Sequence, residues 1–384
     1  MPLGFAPNLL GDLRDLTLEN YPGMKITPAG FLRLLIENNP NLQVGSINGN
    51  RVSNGMPLTN DLGHIKEVKV KYKPRIVPSQ VREEHNCDNQ VVMQYTESEI
   101  TAPRVAEFSF YKERSFLSRY MEEATQKRTV GTPPTGTLRE LVDDMMHVVN
   151  GLIGKIDLQV TSDVNWGVNV ATGLNTAQSI NINKDATVLD LSNGVLKILA
   201  DAQVNELMGE LLIAGSGLMN NYEIMRGVSS ADGAGIDRKQ LGGYKWYYDL
   251  YAPTSWGANQ VGVFAPGTVG FVDIDNYIAF KAGKLGNSWF TRVLLPVQTG
   301  NTVTQMWFDL QIKEYDCPVE LFDGYETRAL GPGYQFILSK NYGLWQAPSN
   351  SVQATDRLFG ANGSLRYVLL TDRDWETGQS YSLI

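Results

Sequence analysis

Four cations occupy alternate positions in one short stretch of the chain: Lys69, Lys71, Lys73 and Arg75. Apolar or aromatic residues stand before and between the first three of them. Because successive side chains of a β-strand point to opposite faces, this pattern predicts a strand with one cationic face. Such a face can bind nucleic-acid phosphates, protect the edge of a sheet, or meet an acidic surface of another protein.

The charge of the whole chain argues against nucleic acid as the target. Its 384 residues have a formal net charge of −8, whereas nucleic-acid-binding domains are normally basic. Within the stretch, Tyr72 is the one aromatic residue that could stack on bases. Two interpretations remain, a solvated edge strand and a strand that lies along a neighbouring copy of the protein.

The length of the predicted ribbon favours the neighbouring copy. Two antiparallel strands joined by a loop are predicted between residues 64 and 110. About sixteen extended residues would reach roughly 50 Å, whereas a compact chain of this size has a radius of gyration of about 21 Å. Pro74, Pro78 and Pro103 cannot donate to a ladder, so they fit an edge or an irregular projecting ribbon. A two-stranded hairpin is marginal alone in water, and we therefore expect a neighbour to hold it.

Acidic residues on the return strand complete the predicted contact set. The residues expected to contribute to contacts between subunits are Lys69, Lys71, Lys73, Arg75, Glu97 and Glu99. An exposed ion pair contributes only about 0–1 kcal/mol, so these charges are expected to set register more than strength.

Other residues with chemical potential do not assemble into a recognisable site. His85, Cys87 and Asp88 could begin a metal site, but no second Cys/His pair follows at the spacing of a closed zinc site. Gly215 and Gly217 form half of a dinucleotide-binding fingerprint, and close packing of a strand against a helix explains both without a cofactor.

A calcium loop and a catalytic group are not supported either. Asp273, Asp275 and Asn276 resemble the start of a calcium loop, but apolar residues follow where further ligands and a glycine are required. No nucleophile, base and orienting group can be combined from the sequence. The chain is therefore predicted not to be an enzyme and to carry no metal or cofactor.

The composition is that of a folded, strand-rich protein. Hydrophobic residues make up 42% and charged residues 19% of the chain, which are globular values. The 37 glycines and 17 prolines predict many turns. No stretch approaches the ~20 apolar residues of a membrane span, and no signal peptide is recognisable. Cys87 and Cys317 are too few for a disulfide framework.

The strongest helical signal is the stretch "TLRELVDDMMHVVNGLIGKI", residues 137–156. Thr137 and Glu140 form a capping box at its start. Apolar residues recur at three- and four-residue steps and predict the longest helix of the chain, with one buried stripe. The stripe consists of Leu138, Leu141, Val142, Met145, Val149, Leu152, Ile153 and Ile156. A shorter helix is predicted at residues 26–38, with Thr27 as its N-cap.

Short alternating elements follow and end in long strands. Residues 186–285 alternate between helix and strand patterns, which is typical of a compact α/β unit. Next, "WFTRVLLPV" and "MWFDLQIKEYDCP" alternate with period two around "QTGNTVTQ", which predicts an antiparallel strand pair. The runs "YQFILS" and "LRYVLLT" predict further strands within residues 318–384. The predicted fold class is α+β.

This order of elements resembles the major capsid protein of tailed bacteriophages, the Hong Kong 97-type fold. The stretches that carry the resemblance are the predicted long helix, "GVFAPGTVGFVDIDNYIAF", "TRVLLPV" and "MWFDLQIKEYDCP". It implies an N-terminal arm at residues 1–62 and an extended β-hairpin loop (E-loop) at 63–110. It further implies a peripheral domain with a spine helix at 111–188 and a compact α/β axial domain at 189–285.

The closing strands of the peripheral domain would then be residues 286–318, and residues 319–384 form a C-terminal extension without an assigned place. The resemblance implies a structural protein that assembles into hexamers and pentamers of an icosahedral shell around double-stranded DNA. Expected partners are other copies, a separate scaffolding protein, a portal and decoration proteins, with assembly in the host cytoplasm and no membrane. The alternatives are a nucleotide-dependent α/β enzyme and a strand-rich component of a phage tail or adhesin.

Overall fold

The computed structural model describes the parts of the chain that build its core. These are residues 29–37, 44–46, 69–72, 96–99, 101–124, 136–169, 173–174, 176–182, 188–205, 207, 209–215, 244–257, 260–274, 283–299, 302–315, 333–347 and 362–371. The helices are α1 (Gly30–Glu37), α2 (Arg114–Ala124), α3 (Gly136–Ser162), α4 (Val188–Val204) and α5 (Ala252–Trp256).

Fourteen strands are found in the described residues. The first seven are β1 (Val44–Ser46), β2 (Lys69–Tyr72), β3 (Thr96–Glu99), β4 (Thr101–Glu113), β5 (Gln178–Ile182), β6 (Leu211–Gly215) and β7 (Tyr244–Tyr248). The others are β8 (Gln260–Phe264), β9 (Val269–Ile274), β10 (Gly283–Leu285), β11 (Ser288–Thr299), β12 (Thr302–Tyr315), β13 (Gly333–Gln346) and β14 (Ser364–Thr371).

These strands form three sheets. The long sheet is antiparallel and has the order β10-β11-β12-β13-β4, with β9 also paired to β13. The short sheet is mixed and has the order β5-β14-β8-β6-β7. The loop sheet is antiparallel and consists of β1, β2 and β3. The predicted α+β class is confirmed.

Helix α3 is the predicted long helix and has 27 residues. It begins at Gly136, whose φ of 63° suits a glycine at the entry to the helix. It ends at Ser162, beyond the predicted end at Ile156. Every residue of the predicted apolar stripe is buried, as expected for a helix that packs with one face on a sheet.

The long sheet presents one apolar face to α3. Along the predicted pair β11–β12, Val293 lies opposite Phe308, and Leu295 lies opposite Met306. All four side chains are buried in the same core as the stripe of α3. The register continues across the sheet, because Phe336 of β13 lies opposite Ile312 of β12 on one side and Phe110 of β4 on the other.

The short sheet is covered on both faces, as an α/β unit requires. Helix α4 covers one face, where Ile198 belongs to a cluster with Ile213 and Val263. Helix α1 packs against β6 and β7 from the other side, and Phe31 lies 5.1 Å from Phe264 between ring centroids. Strand β6 is therefore buried along its whole length, as its sequence predicts.

Two strands from the C-terminal part of the chain lie inside the long sheet and the short sheet. Strand β13 lies between β12 and β4, and β14 lies between β5 and β8. Gln346, at the end of β13, joins the two regions: its side-chain amide donates to the Asn165 carbonyl (2.7 Å) and to Ser364 Oγ (2.8 Å). The sequence left residues 319–384 without a place, and the structure supplies one for two parts of that segment.

Several element boundaries differ from the sequence predictions. Helix α1 begins at Gly30, and the predicted cap Thr27 lies outside the described residues. Strand β9 belongs to the long sheet rather than to the α/β region in which the sequence placed it, because it pairs with β13. Residues 216–243, within the predicted α/β unit, also lie outside the described residues.

Candidate inter-subunit contact site

The loop sheet contains the first part of the predicted cationic strand. Strands β2 and β3 pair antiparallel, which confirms the predicted ribbon in this part of the chain. A third strand, β1, pairs with the other side of β2, where Val44 lies opposite Val70 and Ser46 lies opposite Lys69. The edge-strand interpretation is therefore wrong for residues 69–72, because β2 is the central strand of its sheet.

The register of the loop sheet sets cations across from acids. Lys69 lies directly opposite Glu99, and Lys71 lies opposite Glu97. Directly opposed positions of an antiparallel pair share one face of the sheet, where opposite charges are favourable. Four of the six predicted contact residues are thus brought to one place, while Lys73 and Arg75 lie outside the described residues.

A nearly continuous run of strand connects the loop sheet to the long sheet. Strand β3 ends at Glu99 and β4 begins at Thr101. Near its start β4 contains a bulge: Thr101 lies opposite Leu344 and Arg104 opposite Tyr342, so two residues of β4 face one residue of β13. Pro103 is one of the two residues in the bulge, a position where a missing N–H costs no ladder bond.

An ion pair fixes β4 immediately after this bulge. Arg104 Nε donates to Asp163 Oδ2 at 2.9 Å, and its Nη2 donates to Asp163 Oδ1 at 2.8 Å. This bidentate geometry is the strong form of the arginine–carboxylate contact, and the hydrogen bonds to Asp163 raise the pKa of Arg104. Since Asp163 follows the last residue of α3, the pair ties the start of β4 to the C-terminal end of that helix.

The other end of β4 is tied to the beginning of the same helix. Lys112 Nζ donates to Glu140 Oε1 at 2.9 Å and also contacts Asp144. Partial burial alone would lower the pKa of Lys112, but its hydrogen bonds to Asp144 and Glu140 raise the pKa above the ordinary value. Between the two ends, Lys155 Nζ of α3 lies 5.7 Å from the centre of the Phe108 ring. Strand β4 is therefore fastened along the whole of α3.

Sequence reasoning predicted neither of these ion pairs between β4 and α3. Arg104 and Asp163 are 59 residues apart in the chain, and no local pattern links them. One signal was present in the sequence, because Asp144 lies outside the apolar stripe of the predicted helix, and in the structure it contacts Lys112.

The remaining candidate residues have structural explanations where they are described. A Cβ added to Gly215 would lie 2.9 Å from Val261 Cγ1 and 3.0 Å from the Gln260 carbonyl oxygen, so close packing of β6 against β8 explains this glycine. Gly217 and the possible metal ligands His85, Cys87 and Asp88 lie outside the described residues.

Neither a metal-binding cluster nor a membrane-spanning helix occurs among the described residues. No group of three His, Cys, Asp or Glu side chains in this part of the chain is arranged to hold a metal ion. None of the helices described above combines the length and the hydrophobicity that crossing a membrane requires.

Comparison with known proteins gives matches only at the level of solved structures. No family model and no curated protein matches the chain. A structure from Mycobacterium phage Che8 matches with a TM-score of 0.37 and 10% identity over 85% of this chain and 96% of that one. The capsid of Myoviridae phage XM1 matches with a TM-score of 0.37 and 10% identity over 82% of this chain and 90% of that one.

The capsid of Ralstonia phage GP4 matches with a TM-score of 0.35 and 11% identity over 79% of this chain and 83% of that one. Two of these three structures are phage capsids, and none of the three TM-scores reaches 0.5.

Proposed function

We propose that this chain is a structural virion component, the major capsid protein of a tailed phage. The observation that carries the proposal is the loop sheet. In the described part of the chain its strands pair with one another and with no strand of the other sheets. A single residue, Ile100, separates it from β4, which is fastened to the long helix at both ends.

Such a sheet needs a partner outside its own domain. Its strands have three or four residues each, and small isolated pairings of strands are marginal in water. A neighbouring subunit would supply the missing surface, with backbone pairing and apolar burial as the main attraction. The charges at Lys69, Lys71, Glu97 and Glu99 would fix the register of that contact, because exposed ion pairs contribute only about 0–1 kcal/mol.

A contact in which one subunit reaches for the next is heterologous and closes into rings when its rotation permits. Hexamers and pentamers of an icosahedral shell are closed rings of this kind. In this proposal the long sheet and α3 form the peripheral domain, the short sheet with α4 forms the axial domain, and residues 63–110 form the E-loop. In the same proposal β13 and β14 would belong to the peripheral and the axial domain and not to a separate extension, because they lie in the long and the short sheet.

The charge of the chain fits a wall around DNA. A formal net charge of −8 disfavours tight binding to phosphates, so the shell would enclose double-stranded DNA without reading its sequence. Scaffolding, portal and decoration proteins are the further partners of the proposal. Among the matching structures, a satellite phage P4 procapsid includes a size-determination protein, and a phage G structure includes decoration proteins.

Assembly of the purified chain tests this function. We expect shells, tubes or flat hexamer sheets in negative-stain electron microscopy, with matching masses by light scattering, when the chain is produced with the scaffolding protein of its own genome. A chain that stays monomeric with and without that protein would contradict the proposal. Binding of a nucleotide near Gly215 would then have to be examined.

A further inference from the structure

The first amides of α1 are capped by two carboxyl groups that come from distant parts of the chain. The Leu32 amide donates to Asp157 Oδ1 of α3 at 2.8 Å, and the Phe31 amide donates to Asp249 Oδ2 at 2.6 Å. The partners are 125 and 218 residues apart in sequence. Helix N-termini need such acceptors, since their first N–H groups have no partner within the helix.

The two carboxyl groups differ in how their oxygens are used. Asp249 accepts three backbone hydrogen bonds, from Phe31 at Oδ2 and from Tyr251 and Ala252 at Oδ1, both at 2.7 Å. Asp157 accepts one, and its Oδ2 is buried without a donor among the described residues. Both side chains are fully buried. A buried oxygen that faces no donor is stable when it carries a proton and donates it.

Among the described residues, no lysine or arginine forms an ion pair with either carboxyl group. In the same part of the chain, Tyr251 is the other titratable side chain beside them. The charged groups of α1 are engaged with each other, because Arg33 Nε donates to Glu37 Oε1 at 2.7 Å.

Burial is the main influence on all three titratable groups. It raises the pKa of Asp157 well above its ordinary value, and the charge of Asp249 raises it further. The pKa of Asp249 is also raised by burial, although the amides that donate to it act in the opposite direction. Burial and the two carboxyl groups raise the pKa of Tyr251.

We propose that Asp157 holds a proton, donates it to the carboxylate of Asp249, and thereby forms a pH-sensitive latch between α1 and α3. With the proton present, one neutral and one charged carboxyl group share a hydrogen bond and cap both amides. When the proton leaves, two negative charges remain side by side in a buried site, and α1 is released from its capping groups.

The direction of the pH effect follows from linkage. Because the folded state binds the proton more tightly than the unfolded state, the latch contributes fully at low pH. Its contribution is lost as the pH rises through the raised pKa of the pair. A rise in pH should therefore open the contact between α1 and α3.

Hydrogen exchange on the full-length, unassembled chain tests the latch. In the wild type, after correction for intrinsic exchange, protection of residues 29–37 should fall about tenfold per pH unit between the ordinary and the raised pKa of Asp157 and then level off, as the linkage of one proton requires. In Asp157→Asn the protection should stay constant, since the asparagine accepts from Leu32 and donates to Asp249 permanently. Asp143→Asn, the same change at a half-buried position of α3, should keep the wild-type pH dependence.

The other member of the pair should not tolerate this change. In Asp249→Asn a side-chain N–H would face a backbone N–H, so residues 29–37 should lose protection at every pH. An identical pH slope in Asp157→Asn and the wild type, or a flat wild-type profile, would overturn the latch.

Infrared difference spectroscopy of the wild type is an independent check. It should show a buried protonated carboxyl group at low pH that disappears where exchange rises, and its absence would also overturn the proposal. Because the measurements need no assembly, their failure would leave the capsid function untouched.

Discussion

The loop sheet and the long sheet are joined by the nearly continuous run from β3 into β4 but differ in almost every other respect. The long sheet has strands of up to 14 residues with a buried apolar face against α3. The loop sheet has strands of three or four residues, with lysines set across from glutamates. The long sheet therefore buries the apolar surface that stabilises the fold, whereas the loop sheet has the charged pattern of the proposed contact with a neighbouring subunit.

The largest loss of stability is expected from a substitution at the centre of the long sheet. Phe336 is fully buried and stacks on Phe110, with 5.3 Å between the ring centroids. Phe336→Ala should lower the free energy of unfolding by about 3–5 kcal/mol, because it leaves a cavity in a packed core. Urea denaturation of the unassembled chain measures this loss. A change below about 1 kcal/mol would mean that the long sheet is not the main source of stability.

Charge reversal in the loop sheet should impair assembly and leave the stability of the body nearly unchanged. Changing Lys69, Lys71, Lys73 and Arg75 to glutamate should leave the urea unfolding of the body nearly unchanged and strongly reduce the yield of shells, because the loop then repels its own return strand and its expected neighbour. Electron microscopy and light scattering measure the yield. Normal shells from this variant would contradict the proposed role of the loop.

A matched exchange sharpens the same experiment. Adding Glu97→Lys and Glu99→Lys to Lys69→Glu and Lys71→Glu restores opposite charges at both paired positions. Recovery of assembly would mean that these charges act within the loop sheet, and continued failure would mean that they act on the neighbouring subunit.

A smaller change in the free energy of unfolding is expected from substitutions in α3, where two glycines have different surroundings. A Cβ at Gly151 would meet nothing within 4 Å, whereas a Cβ at Gly154 would lie 2.5 Å from the Tyr251 hydroxyl. Gly151→Ala should therefore raise the free energy of unfolding by about 0.5–1 kcal/mol. Gly154→Ala is the matched control and should bring no such gain. Equal gains from both variants would contradict the close contact with Tyr251.

The smallest effect is expected at the junction of the two sheets. Arg104→Lys keeps the charge but loses the bidentate contact with Asp163. The Arg104 side chain is 40% exposed, so solvent screening should keep the loss of unfolding free energy below about 1 kcal/mol. Arg139→Lys, on an exposed part of α3, is the control and should change nothing. A loss above about 2 kcal/mol would mean that the junction contributes to folding and not only to position.

The parts of the fold that sequence reasoning predicted are those with local periodicity. The apolar stripe of α3 and the alternation along β11 and β12 are each readable within one stretch of chain, because burial repeats with the period of the element. The places of β13 and β14 could not be read in this way. Strand β13 pairs with β4, and β14 pairs with β5 and β8, which lie far from them in sequence, and period-two alternation does not specify a partner.

The candidate site was predicted in part for the same reason. The alternation of Lys69 and Lys71 indicated a strand, but the three residues of β1 are too short a signal to predict a third strand beside it. One signal for the latch was present in the sequence: Asp157 continues the spacing of the buried stripe four residues after Ile153. A carboxyl group in an apolar stripe indicates a buried partner, and the predicted helix ended one residue too early to include it.

The run from β3 into β4 also has a mechanical consequence. Hydrogen bonds between antiparallel strands lie perpendicular to the strand axis, so a pull on the loop sheet along β4 loads the β4–β13 bonds in shear. Bonds in shear share the load, whereas bonds that are peeled open break one after another. In the proposed shell, a force that a neighbouring subunit exerts on the loop sheet would therefore be carried by the long sheet as a whole. The ion pairs of Arg104 and Lys112 would transmit part of that force to the two ends of α3.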